Sequence, residues 1–394
     1  MIRKQKAKNI KSIPSTIKIV MVYQTNPFVA DQGGGVRYVK NLLEGLRQHC
    51  EKVFFLGVGG GTMIDGNISF VPVTRQLTGY VYFLLKLLLK VPFLDLSNYD
   101  VVHVHRLYYA IPFIIFKPRL KIVCTLHGRT FSVFEANYGS ILLKLVKPAF
   151  RGIEKVAIHH IDCLVPVSQD VVNSFTEKYG RFFSDKAKRM EVVGSMVDLS
   201  AFNIQESRYL QNRLGGSNKY VLMIGRLAKV KNVEFLIELW SKSFQDKSNI
   251  KLVIAGDGEC KEELLLLAQN RCTINKPIFL GAVPHYEMAS LISSCDMVIL
   301  SSHHEASPTV IKESLSCGVP VVTNDVGDAA EFIVDGKNGF IVAKENQSYF
   351  IAINSILDNS ISKDDVFEAS SKKLHESSVN HITDKYVTIY NAVV

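Results

Sequence analysis

The sequence predicts an α/β protein of two successive doubly wound domains, and three observations carry that reading. Short β-branched runs alternate with helical stretches through the first two hundred residues, the same alternation begins again near residue 220, and glycine and charge collect in the loops that follow strands. Repeated strand–helix units argue for parallel sheets covered on both faces. At about 150 residues per domain, a chain of 394 is long for one core. The domains are placed at 1–200 and 201–375, joined near VVGSMVDLSAFN at 192–203. Residues 376–394 are a C-terminal segment, helical or mixed, for which a return to the N-terminal domain is one placement.

In the first domain Ile17 to Tyr23 is a strand, DQGGG a loop, and Val36 to Leu46 a helix with apolar residues at helical spacing. Further strands are Val53–Leu56, Val101–Val104, Ile122–Leu126 and Cys163–Val167. Gly57–Gly61 leads into TMIDGNISFVPV, which has no helical period and reads as a surface loop. In the second domain Tyr220–Gly225 is a strand, Val233–Trp240 a helix with Asn232 as N-cap, Lys251–Ala255 a strand and Cys260–Gln269 a helix. Met297–Leu300 and Val319–Thr323 are strands.

Composition is that of an ordinary globular protein, 47% hydrophobic and 21% charged. The net charge of +9 is uneven: residues 1–200 hold 27 Lys and Arg against 14 Asp and Glu, residues 201–394 hold 19 against 23. That split suggests that the N-terminal half meets an anionic surface or substrate. Basic residues are dispersed and no nucleic-acid motif accompanies them, so nucleic acid is not expected as a partner. Seven cysteines without a Cys-x-x-Cys pair read as reduced, buried thiols, with neither a disulfide framework nor a zinc site. The apolar run after the basic N-terminus is too short for a signal sequence, so a cytoplasmic protein is expected. Lys86 and Lys90 interrupt the segment from Gly79 to Leu96 before the ~20 apolar residues of a membrane span accumulate. It reads as a largely buried helix, or else as one lying on a membrane surface.

In doubly wound sheets ligands sit at the carboxyl ends of strands. Gly33-Gly34-Gly35 follows the first strand and opens a helix, where backbone N–H groups and the helix dipole favour a phosphate. Arg226 and Lys231 project from the loop after the second domain's first strand and suit a diphosphate, Arg by forked hydrogen bonds and Lys as a point charge. Asp257, in Ala255-Gly256-Asp257-Gly258, is placed to cap the following helix, and Phe279–Val283 ends another strand.

The richest loop is HHEASPTVIKES, 303–314. Ser307 is a good N-cap and Pro308 suits the first helical position, so a helix is expected from about 308 to 317, ended by Gly318. The N–H groups of Thr309 and Val310 then point into the crevice. Glu305 lies at the helix mouth and Glu313 about one and a half turns in. Two bland readings stand beside this: Lys312 and Glu313 as a solvated face, and Glu305 as a favourable charge near a helix dipole.

GRLAKVKN, AGDGE, FLGAV, EASPTVIKE and GVPVVTNDVGDAAEFIVDGKNGFIV, in this order and spacing, resemble the retaining glycosyltransferases of family four, surface-polysaccharide type, which have the two-domain GT-B fold. The likeness is strongest over 220–343, with support from DQGGGVRYVKNLLEGL, TLHG and VVGSMVDLSAF. It implies two Rossmann-like domains facing a central cleft, the N-terminal one binding acceptor and the C-terminal one binding nucleotide sugar. Glu305 and Glu313 match the family's Glu-x7-Glu pair. The resemblance implies that Arg226 and Lys231 hold the donor diphosphate, helped by the N–H groups of Gly34, Gly35, Thr309 and Val310. It gives the ribose to Glu313, the transferred sugar to Glu305, and the neighbourhood of that sugar to His127. His103 and His105 alternate onto one face of a strand and are expected to be structural. No Asp-x-Asp occurs, so no metal or other cofactor is expected. Ala306 stands where the family usually has Gly, and His303-His304 precede the first glutamate, which leaves sugar preference open.

The function expected is transfer of a hexose or N-acetylhexosamine, with retention, from a UDP- or GDP-sugar to a saccharide or lipid-linked acceptor in cell-surface polysaccharide synthesis. An anionic membrane surface is expected as a further partner, with the protein peripheral at the inner face of the cytoplasmic membrane. Rival readings are a nucleotide-sugar 2-epimerase of the same fold, a non-catalytic nucleotide-sugar-binding scaffold and, lacking its glycine fingerprint, a dinucleotide-dependent oxidoreductase.

Overall fold

The computed structural model describes residues 15–394 apart from 27, 30–32, 129–139, 217 and 360. The basic residues 1–14, and Asp31 and Gln32 of the DQGGG loop, lie outside the described residues. Two sheets organise the rest. The first has the order β3-β4-β2-β1-β5-β6-β7: β1 is Ser15–Val22, β2 Cys50–Val58, β3 Met63–Asp65, β4 Ile68–Thr74, β5 Val101–Val104, β6 Lys121–Leu126 and β7 Cys163–Pro166. The second has the order β10-β9-β8-β11-β12-β13: β8 is Lys219–Ile224, β9 Ile250–Ala255, β10 Ile278–Gly281, β11 Met297–Ile299, β12 Val321–Thr323 and β13 Gly339–Ile341. Every pairing is parallel except that of β3 with β4.

With the hairpin strand β3 set aside, both sheets run 3-2-1-4-5-6 in order of appearance, the doubly wound arrangement. Each reverses direction beside its first strand, between β1 and β5 and between β8 and β11. The crevice outside the carboxyl ends at such a reversal is where ligands bind. The apolar runs behave as strands covered on both faces should. Along β8, Tyr220, Leu222 and Ile224 join one core cluster, while Val221 and Met223 join another on the opposite face. All seven cysteines are free and buried.

In the first domain the structure corrects the sequence reading at a hairpin and at a helix. TMIDGNISFVPV is not a surface loop: it forms the β3–β4 hairpin, and β4 pairs with β2 inside the sheet. The helix Tyr80–Lys90 is not largely buried. Phe83, Leu84 and Leu87 face the core, while Tyr82, Leu85 and Leu89 are exposed and Phe93, in the turn that follows, is 88% exposed. No helix of the described residues is long and apolar enough to cross a membrane.

The chain passes between the domains twice, and the crossings bind one another. Val197 N–H donates to the Ser377 carbonyl at 2.9 Å and Val379 N–H to the Val197 carbonyl at 3.2 Å. After the second crossing the helix Val379–Val393 packs on the first domain, where Ile382, Tyr386, Ile389 and Tyr390 join its core. A Cβ on Gly45 would sit 2.0 Å from the Thr383 hydroxyl, so glycine is what lets the Gly34–His49 helix and this last helix approach so closely.

Candidate active site

The loops singled out in the sequence meet at one cleft of about 910 Å³ between the carboxyl ends of the two sheets, a volume typical of a small-molecule site. Gly33, Gly34 and Gly35 line it from the first domain, together with His127 at the end of β6. Gly33 has φ 97° and precedes the Gly34–His49 helix, so only glycine turns the chain into that helix without strain. Arg226 and Lys231 line it from the loop after β8, and Glu305, Pro308, Thr309, Val310 and Glu313 from the segment after β11.

The centre of the second domain's contribution is a close cation–anion contact. Lys231 Nζ lies 2.5 Å from Glu305 Oε1, and the Ser302 hydroxyl donates to the same oxygen at 2.6 Å. Two backbone devices hold this geometry. Asn232 adopts the left-handed conformation, φ 52°, and its side-chain amide donates to the Ser301 carbonyl instead of capping the helix Val233–Ser243. His303 N–H binds the Val230 carbonyl at 2.8 Å. Beneath the loop, a Cβ on Gly256 would lie 1.9 Å from the Gly225 carbonyl oxygen, so a bare backbone is what lets the β8 and β9 turns stack. Asp257 likewise does not cap the next helix, whose N-cap is Cys260; it accepts from Gly258 N–H and Lys261. Arg226 is the most exposed of the expected donor-site residues that carry charge, and pairs with Glu259 at 2.9 Å.

The helix after β11 runs Thr309–Ser316 with Pro308, not Ser307, at the N-cap. The Ser307 hydroxyl is committed elsewhere: it donates to Asp328 at 2.6 Å and accepts from Ser195 N–H in the interdomain linker at 3.0 Å. Thr309 N–H and Val310 N–H belong to the unpaired first turn of that helix and border the cleft. Neither Lys312 nor Glu313 forms a solvated face. Lys312 is wholly buried, with Nζ 2.8 Å from Asp328 Oδ2, 3.0 Å from the Ser195 carbonyl and 2.7 Å from the Ser195 hydroxyl. Burial pushes its ammonium pKa down, and the Asp328 carboxylate opposes that shift. Glu313 is 4% exposed and accepts from Arg37 of the first domain at 3.2 Å. Arg37, Ser195 and Asp328 carried no sequence signal; their partners lie 276, 117 and 16 residues away.

Behind His127 is a stack of three imidazoles. His105 Nδ1 lies 2.9 Å from His127 Nε2 with the rings stacked, and the His103 ring centroid is 4.3 Å from that of His105. His103 bonds Tyr390 of the last helix through Nδ1 at 2.7 Å and Thr125 through Nε2 at 2.8 Å. Thr125 continues the chain to Tyr386, and Tyr386 to Tyr38. His103 and His105 are thus structural, as expected. Burial, aided by the neighbouring imidazole, pushes His103 down to about 3; burial and then Arg106 push His127 down to about 3; His105 is driven well below its ordinary range by burial and by both other histidines. All three rings are neutral at physiological pH.

Comparison with known proteins agrees with this geometry. The model of the family "Glycosyltransferase Family 4" matches residues 32–201, and that of "Glycosyl transferases group 1" matches residues 209–373. The chain is a GT-B glycosyltransferase. The two matches fall on the two doubly wound domains, and the first takes in the linker residue Ser195. Among curated relatives, the N-acetyl-alpha-D-glucosaminyl L-malate synthase of Bacillus anthracis is 25% identical over 310 residues, 76% of each chain. A Campylobacter jejuni enzyme, N-acetylgalactosamine-N,N'-diacetylbacillosaminyl-diphospho-undecaprenol 4-alpha-N-acetylgalactosaminyltransferase, is 30% identical over half of each chain. Among solved structures, Anabaena HepE in complex with UDP-glucose superposes with a TM-score of 0.73 at 21% identity, covering 95% of this chain and 100% of that one; at that identity the likeness concerns the fold. The glycosyltransferase therefore carries its expected site residues on the cleft that its fold provides.

Proposed function

We propose that this glycosyltransferase moves a hexose or N-acetylhexosamine, with retention, from a UDP- or GDP-sugar to a saccharide or lipid-linked acceptor in cell-surface polysaccharide synthesis. The observation that carries the reading is the Lys231–Glu305 contact, set between the Gly33–Gly35 turn and the first turn of the Thr309–Ser316 helix. A cation and two sets of unpaired N–H groups converge where a departing nucleoside diphosphate gathers charge, and preorganised donors of this kind stabilise a leaving group without reorganisation. Arg226 exchanges Glu259 for phosphate, Glu313 takes the ribose hydroxyls, and Glu305 faces the sugar as positive charge develops at its anomeric carbon. His127, held neutral, contacts the sugar by hydrogen bonding. The acceptor attacks on the face that the diphosphate leaves, and a diphosphate oxygen takes its proton. Lys231 and Arg226 supply the positive charge for this step, so the reaction is read as metal-independent. HepE, solved with UDP-glucose, favours UDP as the nucleotide, and the Campylobacter enzyme named for a diphospho-undecaprenol acceptor favours a lipid-linked one.

A membrane surface fits the same reading. Tyr82, Leu85, Leu89 and Phe93 form an exposed apolar row, and Lys117, whose Nζ donates to the Leu94 carbonyl at 2.6 Å, brings exposed Ile115 and Phe116 beside it. Exposed Arg75 and Arg119 stand a few residues along the chain from Tyr80 and Phe116 in a first domain rich in positive charge. We propose that it seats on an anionic bilayer from the inner face.

The test is donor turnover in Lys231→Ala and Glu305→Ala, with product analysis by NMR. Each is expected to lose on the order of 100-fold or more in kcat, the range for removing a transition-state donor. Rates equal to the parent in both variants sink the transferase assignment, and release of an epimer without acceptor would give the site to a 2-epimerase. Sedimentation with anionic vesicles at low and high salt checks the membrane claim.

A further inference from the structure

We propose that Arg106, at the end of β5, is the anchor for an oxyanion carried by the acceptor, a phosphate or a carboxylate close to the hydroxyl that reacts. The proposal rests on the transferase reading only for the word acceptor; the anion site stands on its own observations.

Arg106 follows β5 at the reversal point of the first sheet, the counterpart of the β8–β11 crevice that holds Lys231. Its guanidinium lies over the Tyr80 ring, 4.1 Å from the centroid, with the side chain mostly buried among Tyr23, Tyr80, Tyr108 and Tyr109. Among the described residues its Nε has no hydrogen-bond partner and its guanidinium has no carboxylate in contact. Other arginines of the same domain are placed differently: Arg37 pairs with Glu313, and Arg47 with Glu44 and Asp65. Nor do the surrounding phenols neutralise Arg106, because burial raises the hydroxyls of Tyr23, Tyr108 and Tyr109 above their ordinary range and they stay uncharged. A cation held out of water without a counter-charge is costly, and among the described residues no carboxylate faces Arg106.

Position indicates which ligand a counter-charge would belong to. Arg106 adjoins His105, whose ring stacks on His127 in the cleft, and His105 Nε2 is a second buried nitrogen without a partner among the described residues. Tyr23 connects the group to the donor side: its ring packs on His105 at 5.4 Å, and its hydroxyl lies 2.5 Å from where a Cβ on Gly35 would stand. Arg106 is therefore beside the cleft, on the first-domain side, behind the residues assigned to the donor and outside the set lining the donor pocket. The donor diphosphate has its own cations, Arg226 and Lys231, on the other domain. An anion reaching Arg106 arrives with the second substrate, and arginine's planar fork suits both phosphate and carboxylate.

The experiment uses the full chain saturated with UDP, so that probes cannot enter the diphosphate site. Glucose 1-phosphate, glucuronate and the uncharged methyl glucoside are titrated while the histidine side-chain resonances are followed by 15N NMR. The expected result is saturable binding of one or both anionic probes, with shifts at His105 and His127, and at least a tenfold weaker response to methyl glucoside. Which anionic probe binds distinguishes phosphate from carboxylate. Arg106→Gln is expected to weaken the anionic probe tenfold or more while leaving UDP affinity within twofold. Arg106→Lys, which keeps the charge and loses the fork, is expected to fall between, and serves if the glutamine variant does not fold. Equal binding of the anionic probe by parent and variant, equal binding of neutral and anionic probes, or no binding of either anion to the UDP-loaded parent overturns the proposal. Failure of UDP itself to bind would instead overturn the donor assignment; shifts at His105 on titrating the anions alone would still report on Arg106.

Discussion

Acidification should unlock the first domain through the three stacked histidines. In the unfolded chain each imidazole titrates near 6.5, whereas in the fold His103 and His127 are pushed to about 3 and His105 well below its ordinary value. Because the folded pKa values are depressed, the unfolded state binds more protons at any pH between the two. The stability is fully present above pH 6.5 and is lost as pH falls toward 3. Between pH 7.5 and 5.5 the unfolded form of one such histidine gains about 1.4 kcal/mol relative to the native form, so three contribute about 4 kcal/mol. That is a large part of a typical domain's 5–15 kcal/mol. The carboxylates with lowered pKa, such as Asp65, Asp95 and Asp257, titrate below this window and do not mask the effect. The assay is hydrogen exchange at the β5 and β6 amides at both pH values, corrected for the intrinsic rate, beside urea unfolding followed by circular dichroism. His103→Gln should retain about two thirds of the loss. A total loss below about 1.4 kcal/mol in the parent, one histidine's worth, would refute the claim that the stack is held neutral.

Other predictions concern buried polar contacts and close backbone approaches. Lys312→Met strands the Asp328 carboxylate among buried groups and should cost about 3–5 kcal/mol in urea unfolding; adding Asp328→Leu should recover part of it. Tyr390→Phe removes the partner of His103 Nδ1 and should cost about 1–3 kcal/mol, seen as faster exchange in the Val379–Val393 helix. Gly45→Ala drives a methyl into Thr383 and should cost about 1–3 kcal/mol from overpacking, whereas Gly60→Ala, with open space at its Cβ, should stay within about 0.5 kcal/mol of the parent.

Local pattern made the strand ends legible, and function sits at strand ends. That is why Gly33–Gly35, Arg226, Lys231, Glu305 and the Thr309–Val310 turn were found as separate signals and then appear on one cleft. Where the sequence reading failed, a distant partner had taken a polar side chain from its local task. Ser307 has the chemistry of an N-cap but bonds Ser195 and Asp328; Asn232 is the N-cap that the sequence predicts, with its side-chain amide given to the Ser301 carbonyl. Lys312 looked solvated because nothing within a helical turn reveals Asp328 or the linker carbonyl that enclose it. The β3–β4 hairpin was hidden for another reason: β3 is exposed along its whole length, so it has no alternation to read.

The same long-range contacts explain why two domains can present one site. Glu305 and Glu313 sit on a segment whose intervening residues, Ser307 and Lys312, are fastened to Ser195 in the first crossing of the chain. That crossing is hydrogen-bonded, through Val197, to the second at Ser377–Val379, and the second leads into the helix that delivers Tyr386 and Tyr390 to the histidine stack behind His127. The glutamates and His127, from opposite domains, are thus linked by hydrogen bonds, one helix and the ring contact of His103 with His105, and closed across the cleft by Arg37 on Glu313. If Glu313 takes a ribose, Oε2 is the oxygen left for it, since Arg37 holds Oε1.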